Sequence, residues 1–326
     1  MTRPAKRITS EDVARLAGVS RTTVSFVLNN RPGQSIPEET RRRIFDAAKT
    51  LQYRPHASAR SLAAGRSDIV LLSIPDLPIG SGISRYIEEL AAALAENGLT
   101  LVTHLEGAHG RPVADVCATV AASAVIGLLP FTREAAAALH SAGAVAVLPP
   151  HAGEDLEIME PVGHAQATHL IDRGHTQLGY ALPAHTALKP MGDERLRGAN
   201  SACAAAGLPA PLALSTSLEI ADAAAAVRQW LDQGVTGVCA FNDDTAIAVL
   251  AGLREHGLSA PGDLAVVGAD DIPTARLASP PLSTVAFDLH QAGARQAAAV
   301  VAALAGQDHD LGTTEGSLRV IQRASS

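Results

Sequence analysis

Aromatic side chains are scarce in this chain: its 326 residues include one Trp, three Tyr and five Phe. With 47% hydrophobic residues, any core must be filled mostly by Ala, Leu and Val, a composition that suits helices laid on parallel sheets. Cysteine is rarer still. Cys117, Cys203 and Cys239 are odd in number and far apart, which excludes a disulfide framework and a CxxC metal site and leaves buried free thiols as the expectation. No run of eighteen or more apolar residues is free of charge and glycine, and Met1-Thr2-Arg3-Pro4-Ala5-Lys6-Arg7 leads into polar positions. Neither a membrane span nor a secretory signal is therefore expected, and a cytoplasmic protein is. Walker, HExxH and GxSxG motifs are also missing.

Half of the basic side chains lie in the first fifth of the chain. Residues 1–66 hold 13 Lys/Arg against 5 Asp/Glu, a net of +8, which leaves −15 on the other 260 residues and −7 overall. Such segregation fits a small module for a polyanion joined to an acidic globular body, and the length permits the division. Within the basic end, Thr9-Ser10-Glu11-Asp12 has the form of a helix N-cap with an acidic third residue, followed by an apolar stripe of Val13, Leu16 and Ala17 that stops at Gly18. Ser20 can cap a second helix, with Val24, Val27 and Leu28 inward and Arg21, Thr22, Ser25 and Phe26 outward. A third helix starts near Pro37, with Glu38 and Glu39 beside its N-terminus and Ile44, Ala47, Ala48 and Leu51 on one face. Two short helices about a Gly-containing turn, with a third as support, make a helix-turn-helix domain. The following run from His56 to Arg66 is helix-forming but too short to be stable alone.

From Ile69 the pattern changes to alternating strands and helices. Strands are expected at Ile69–Ile74, Leu99–Leu105, Val125–Leu129 and Val145–Leu148, with helices near 83–97, 112–122 and 132–142. A second series has strands near 177–181, 237–240 and 264–268, helices near 162–173, 193–206, 219–232 and 243–256, and a last strand near Leu318–Ile321. Two such series imply parallel sheets in two lobes.

These residues carry a specific resemblance. Asp12-Val13-Ala14-Arg15-Leu16-Ala17-Gly18-Val19-Ser20, Thr23-Val24-Ser25, Val27-Leu28-Asn29, Tyr53-Arg54-Pro55 and Ala59-Arg60-Ser61-Leu62 resemble the head and hinge of the lactose-repressor (LacI/GalR) family of bacterial transcription regulators. His169-Leu170-Ile171-Asp172-Arg173-Gly174-His175, Arg195-Leu196-Arg197-Gly198, Phe241-Asn242-Asp243-Asp244, the run from Asp263 to Asp271, and Pro280-Pro281-Leu282-Ser283-Thr284-Val285 are similar to its sensing core. The resemblance implies an all-α helix-turn-helix head at 1–54 and a hinge helix at 55–66. It also implies a two-lobed α/β core like the periplasmic binding proteins, with one lobe from 67–160 and 288–316 and the other from 161–287 and 317–326. The implied function is a homodimeric, ligand-responsive repressor on a palindromic operator in double-stranded DNA, without cofactor, metal or membrane. No leucine heptad follows Ile321, which argues against a tetramer.

The DNA contacts implied are Thr9, Ser20, Arg21, Thr22, Thr23, Ser25, Phe26, Asn29, His56, Ala59 and Leu62. Their chemistry fits. Arg21 at the start of a recognition helix can donate two hydrogen bonds to a guanine edge, and Ser20, Thr23, Ser25 and Asn29 offer neutral donors to phosphates. Phe26 stands where many members present a polar base reader; it either touches a thymine methyl or covers the head's own core. Leu62 matches a leucine that wedges into the central base step when two hinges pair, an unstacking that a bent duplex repays in contact.

The effector contacts implied are Arg195, Asn242 and Asp270, a guanidinium, an amide and a carboxylate able to clamp a polyhydroxylated ligand. Asn242 alternatively caps the helix after it, and Asp270 alternatively belongs to a solvated loop. The first loop, Pro75 to Ile83, lacks an aromatic to stack on a sugar or base. Ala269 replaces another, and Pro161 stands where an acid or amide is common, so a sugar effector is not the expectation. Two other classes compete. An effector-independent regulator would keep the head and use the core only to dimerise. An enzyme would need more than Gly80-Ser81-Gly82, which lacks the third glycine of a dinucleotide fingerprint, and more than His164, His169 and His175, whose spacing suits no metal. In the pairs Asp243-Asp244 and Asp270-Asp271, neighbours point apart, so one of each pair is expected to be structural. No enzymatic activity is expected.

Overall fold

The structure, a computed structural model, describes residues 8–28, 36–53, 67–107, 110–149, 159–307 and 318–326. Asn29, His56, Ala59, Leu62 and the expected hinge helix lie outside the described residues. The chain divides into two compact units, Met1–Asp68 and Ile69–Ser326.

In the first unit, α1 (Ser10–Ala17), α2 (Arg21–Leu28) and α3 (Glu38–Thr50) pack on one another. The Thr9 hydroxyl accepts from the Asp12 amide while the Asp12 carboxylate accepts from the Thr9 amide, so both ends of a capping box are made. Gly18, at φ 67°, ends α1 in the left-handed region that glycine adopts without strain. Val13, Ala14, Ala17, Val24, Val27, Ile44, Ala47 and Ala48 form the core, with Leu51 against it. Leu16 departs from expectation: it is 54% exposed, and Ala14 takes the inward place. On a helix of eight residues the buried arc is narrow, and here it holds Val13, Ala14 and Ala17 against α2 and α3.

The second unit holds two sheets. The first is all parallel, in the order β2-β1-β3-β4, from β1 (Ile69–Ile74), β2 (Thr100–Leu105), β3 (Ala124–Gly127) and β4 (Ala146–Leu148). Its crossovers are α4 (Ser81–Glu96), α5 (Val113–Val120) and α6 (Arg133–Ser141). The second sheet runs β10-β9-β8-β7-β5-β6, with only β10 (Leu318–Ile321) antiparallel. Its other strands are β5 (Leu178–Pro183), β6 (Leu212–Thr216), β7 (Gly237–Ala240), β8 (Ala265–Ala269) and β9 (Ser283–Phe287), served by α7 (Glu160–Asp172), α8 (Lys189–Ala205), α9 (Ile220–Asp232) and α10 (Asp243–Glu255). Strands β3, β7 and β8 are buried along their whole length, as a sheet covered on both faces requires.

The helix α11 (Leu289–Leu304) follows a strand of the second sheet yet packs on α4 of the first lobe, adding Ala297, Ala299 and Val300 to its core. Gly293 lies against the α4 backbone, where an added Cβ would stand 2.8 Å from the Glu89 carbonyl carbon. The sequence pattern did not place β6, β9 or α11. The first two are short and rich in Ala, Ser and Thr; the third is rich in alanine and has no sharp apolar stripe. The helix expected near 193–206 begins earlier, at Lys189, with Pro190 in its first turn, where a missing N–H costs nothing.

Candidate functional site

The face that α2 turns to solvent is short and polar. Arg21, Thr22 and Ser25 are exposed and Thr23 and Phe26 half-buried, while Val24 and Val27 anchor the opposite side. Ser20 is committed as expected: its hydroxyl accepts from the Thr23 amide at 3.1 Å and shares a hydrogen bond with the Thr23 hydroxyl at 2.8 Å. Thr9 is likewise occupied by the capping box. Phe26 is not among the described side chains packed against the head's core, which are Val19, Leu28, Ile36, Leu51 and Tyr53.

In the second unit, the loops after the C-terminal ends of the strands enclose a cavity of about 650 Å³. Gly127 to Pro130 run out of the end of β3, Pro183 to His185 out of β5 and Thr216 to Leu218 out of β6; Phe241 and Asp270 come just after β7 and β8, and Phe287 ends β9. In each sheet one strand, β1 or β5, is flanked by the two that follow it. Such switch points open a crevice beyond the carboxyl ends of parallel strands.

Arg195, Asn242 and Asp270 all line this cavity. Arg195 is buried; it donates to the Phe241 carbonyl and, at 3.3 Å, to Asp270 Oδ1, and Met159 Sδ lies 3.8 Å away. Its guanidinium stands 4.8 Å from the Phe241 ring centre and 5.6 Å from that of Phe287, both within cation–π range. Its Nε, by contrast, has no partner among the described residues. Asn242 caps α10, its Oδ1 accepting from the Thr245 amide at 2.9 Å and hydroxyl at 2.8 Å, and it also lines the cavity. Asp270 is therefore ion-paired, and the solvated-loop alternative for it is not what the structure has.

The two aspartate pairs split as neighbours on an element should. Asp243 points inward, accepting from the Thr284 hydroxyl at 2.6 Å and the Ile272 amide at 2.9 Å, and burial raises its carboxyl to about 7 against those bonds. Gly268 makes room for it, since an added Cβ would stand 2.1 Å from Asp243 Oδ1. Asp271 pairs with Arg323 at 2.5 Å. Asp244 and Asp270 face the cavity. The Asp244 carboxyl is raised by burial first and by Asp270 second; Glu194, also on the cavity wall, is raised by burial and held back by the Met159 amide and by Arg197.

The lobes touch at this end of the cleft. Arg85 of α4 donates to the carbonyls of Asp271 at 3.1 Å and Asp270 at 3.4 Å. Those two residues hold φ of 46° and 100°, a conformation that exposes both oxygens to it.

Sequence reasoning missed several lining residues, Tyr86 and Phe287 among them, and named Asp244 only as one of a carboxylate pair. Phe241 lay inside a quoted motif and was passed over. The first loop does lack an aromatic, yet Tyr86, Phe241 and Phe287 bring three to the cavity from α4, the end of β7 and β9. Burial raises the Tyr86 hydroxyl to about 12. Among the described residues no group of three or more His, Cys, Asp or Glu side chains could hold a metal, and no helix is long and apolar enough to cross a membrane.

A helix-turn-helix head and a core of two parallel sheets closing on a small-molecule cleft together define a DNA-binding regulator with a sensing core. Residues 9–56 match the model described as bacterial regulatory proteins, lacI family, and residues 167–326 that of the periplasmic binding protein-like domain. The HTH-type transcriptional regulator GalR of Escherichia coli (strain K12) is 31% identical over 91% of this chain and 89% of its own length. A solved complex of the transcriptional regulator CelR with cellobiose is 26% identical, with a TM-score of 0.68, and the match covers 98% of this chain and all of that one. The lac repressor dimer bound to operator and the anti-inducer ONPF shares the fold at 22% identity and a TM-score of 0.76, over 98% of this chain and 99% of that one. The chain belongs to the lacI family of bacterial regulatory proteins and is a DNA-binding transcriptional regulator.

Proposed function

We propose that this regulator is a ligand-responsive repressor that binds a palindromic operator as a homodimer. One observation carries the reading: the cleft between the sheets holds Arg195, Asn242 and Asp270 together around a cavity of about 650 Å³, the size of a small-molecule site. On the other unit, α2 presents Arg21, Thr22 and Ser25 to bases and phosphates, with Thr23 and Phe26 at the edge of that face and Ser20 and Thr9 holding the helix starts. Asn29 and the hinge residues His56, Ala59 and Leu62 complete the operator contacts, with Leu62 as the minor-groove wedge. An exposed apolar side chain on the core outside the cavity, Leu277 at 78%, supports burial against a second copy. The lobes are assigned as 67–160 with 288–316 and 161–287 with 317–326. On this reading the protein acts in the cytoplasm and is not an enzyme.

Effector binding would alter how the lobes meet at Arg85 and Asp270, and through that the operator affinity, by a coupling of about 1–3 kcal/mol. The test is selection of operators from a random DNA pool, repeated with a metabolite mixture. The expected product is a palindrome whose retention changes with the mixture. A palindrome indifferent to every metabolite would leave a constitutive regulator, and an asymmetric site would overturn the dimer.

A further inference from the structure

We infer that the cleft takes an amphipathic amine, with its cationic nitrogen at Asp244 and its apolar body along Leu129, Pro130, Met191 and Leu218; this rests on the effector reading above. Asp244 is the second residue of α10 and lines the cavity, its carboxylate beneath the start of α4, where a Cβ on Gly80 would stand 3.3 Å from Oδ2. The neighbouring carboxylates are all engaged. Asp270 holds Arg195, Asp271 holds Arg323, Asp243 accepts from Thr284 and Ile272, and Glu194 accepts from the Met159 amide. The Asp244 carboxylate has no hydrogen bond or ion pair among the described residues, although it is half-buried.

Charge favours the same class of ligand. Glu194, Asp244 and Asp270 on the wall face two guanidiniums, Arg195 and Arg295, and Arg195 is already spent on Asp270 and the Phe241 carbonyl. A bound cation would give the half-buried Asp244 carboxylate an ion-pair partner and offset the burial and the Asp270 charge that raise it.

One stretch of the wall favours an apolar body over a polyol. Leu128, Leu129, Pro130, Leu188, Met191 and Leu218 offer no side-chain donor or acceptor, so hydroxyl groups facing them would lose water and gain no partner. An apolar body loses nothing there. A hydrogen-bond acceptor on the same ligand has a partner in the buried Nε2 of Gln296, which lines the cavity and has no partner among the described residues.

The test uses the full chain and three probes in the millimolar range: 2-phenylethylamine, its neutral isostere 2-phenylethanol, and cellobiose. Binding is followed by calorimetry and thermal shift, and operator retention by gel shift. The amine is expected to bind the wild type about tenfold more tightly than the alcohol, as a charge-assisted hydrogen bond allows. In both Asp244→Asn and Asp244→Ser that preference should vanish while the alcohol still binds, which also shows that the cleft is intact. Equal affinities on the wild type, a preference that survives both substitutions, or no binding of the amine would overturn the inference. If cellobiose alone bound and displaced the operator, the effector reading would stand and the amine would fall. If no probe bound but a metabolite mixture still released the operator, the outcome would be the same.

Discussion

Gly163 of α7 lies so close to Arg195 of α8 that a Cβ on the glycine would stand 1.6 Å from the Arg195 carbonyl oxygen. The contact is reciprocal, since a Cβ on Gly198 would stand 1.8 Å from the Glu160 carbonyl oxygen. Two helices thus meet backbone to backbone, and this crossing sets the height at which the Arg195 guanidinium enters the cleft. Alanine at either glycine must push the helices apart. Gly163→Ala and Gly198→Ala should each lose about 1–3 kcal/mol, as overpacked cores do, and the double variant should lose less than the sum because one separation relieves both clashes. Urea unfolding of the three variants measures this; an unchanged midpoint for Gly163→Ala would mean that the helices do not meet so closely.

Asp243 gives the core a pH dependence of definite sign. Its carboxyl has an ordinary value of 3.8 and is raised to about 7 by burial. The unfolded chain releases this proton first, so the stabilisation is complete below about pH 3.8 and is lost as pH rises to about 7. Asn at this position keeps one acceptor for the Ile272 amide and offers a donor to Thr284. Relative to the wild type, Asp243→Asn should gain stability steadily from pH 4 to 7 and level off above that range. A difference constant across the range would show that Asp243 is ionised throughout.

Arg21 is exposed at the first turn of α2, and its removal should affect sequence discrimination more than general attraction to DNA. Arg21→Ala should cost about 1–3 kcal/mol of operator affinity and relax the preference at one base position in each half-site. Competition binding against operators substituted at each position distinguishes this from a uniform loss, which would assign Arg21 to phosphate.

The basic end of the chain, 13 Lys/Arg against 5 Asp/Glu in residues 1–66, should make binding strongly dependent on salt. With about three to five phosphates neutralised per head, log K for the dimer should fall with log salt at a slope near −5 to −9. Fluorescence anisotropy over a salt series measures it, and a nearly flat line would remove phosphate contact as the role of that charge.

The elements that strong local signals specify were legible in the sequence: the capped helices of the head, strands such as Ile69–Ile74 and Gly237–Ala240, and the helix from Asp243. So was the splitting of each aspartate pair, because neighbouring side chains on an element diverge. Leu16 was not, since which side of a two-turn helix is buried is set by where the other two helices lie and not by its own sequence. Nor were the aromatics of the cleft. Tyr86, Phe241 and Phe287 are far apart in the chain and meet only because α4 of one sheet and the strand ends of the other border one crevice. A pattern of three or four residues can propose Asn242 and Asp270, but it carries no record of the wall that faces them.

The placement of α11 has a consequence for the order of assembly. This helix follows the ninth strand yet covers Leu90, Ala93 and Leu94 of α4 in the first lobe. During synthesis that apolar face stays open until nearly the whole core has been made, so the first lobe is completed after most of the second. A nascent chain halted before Leu289 would carry both α2 and most of the cleft, yet it would be a protease-sensitive client for chaperones.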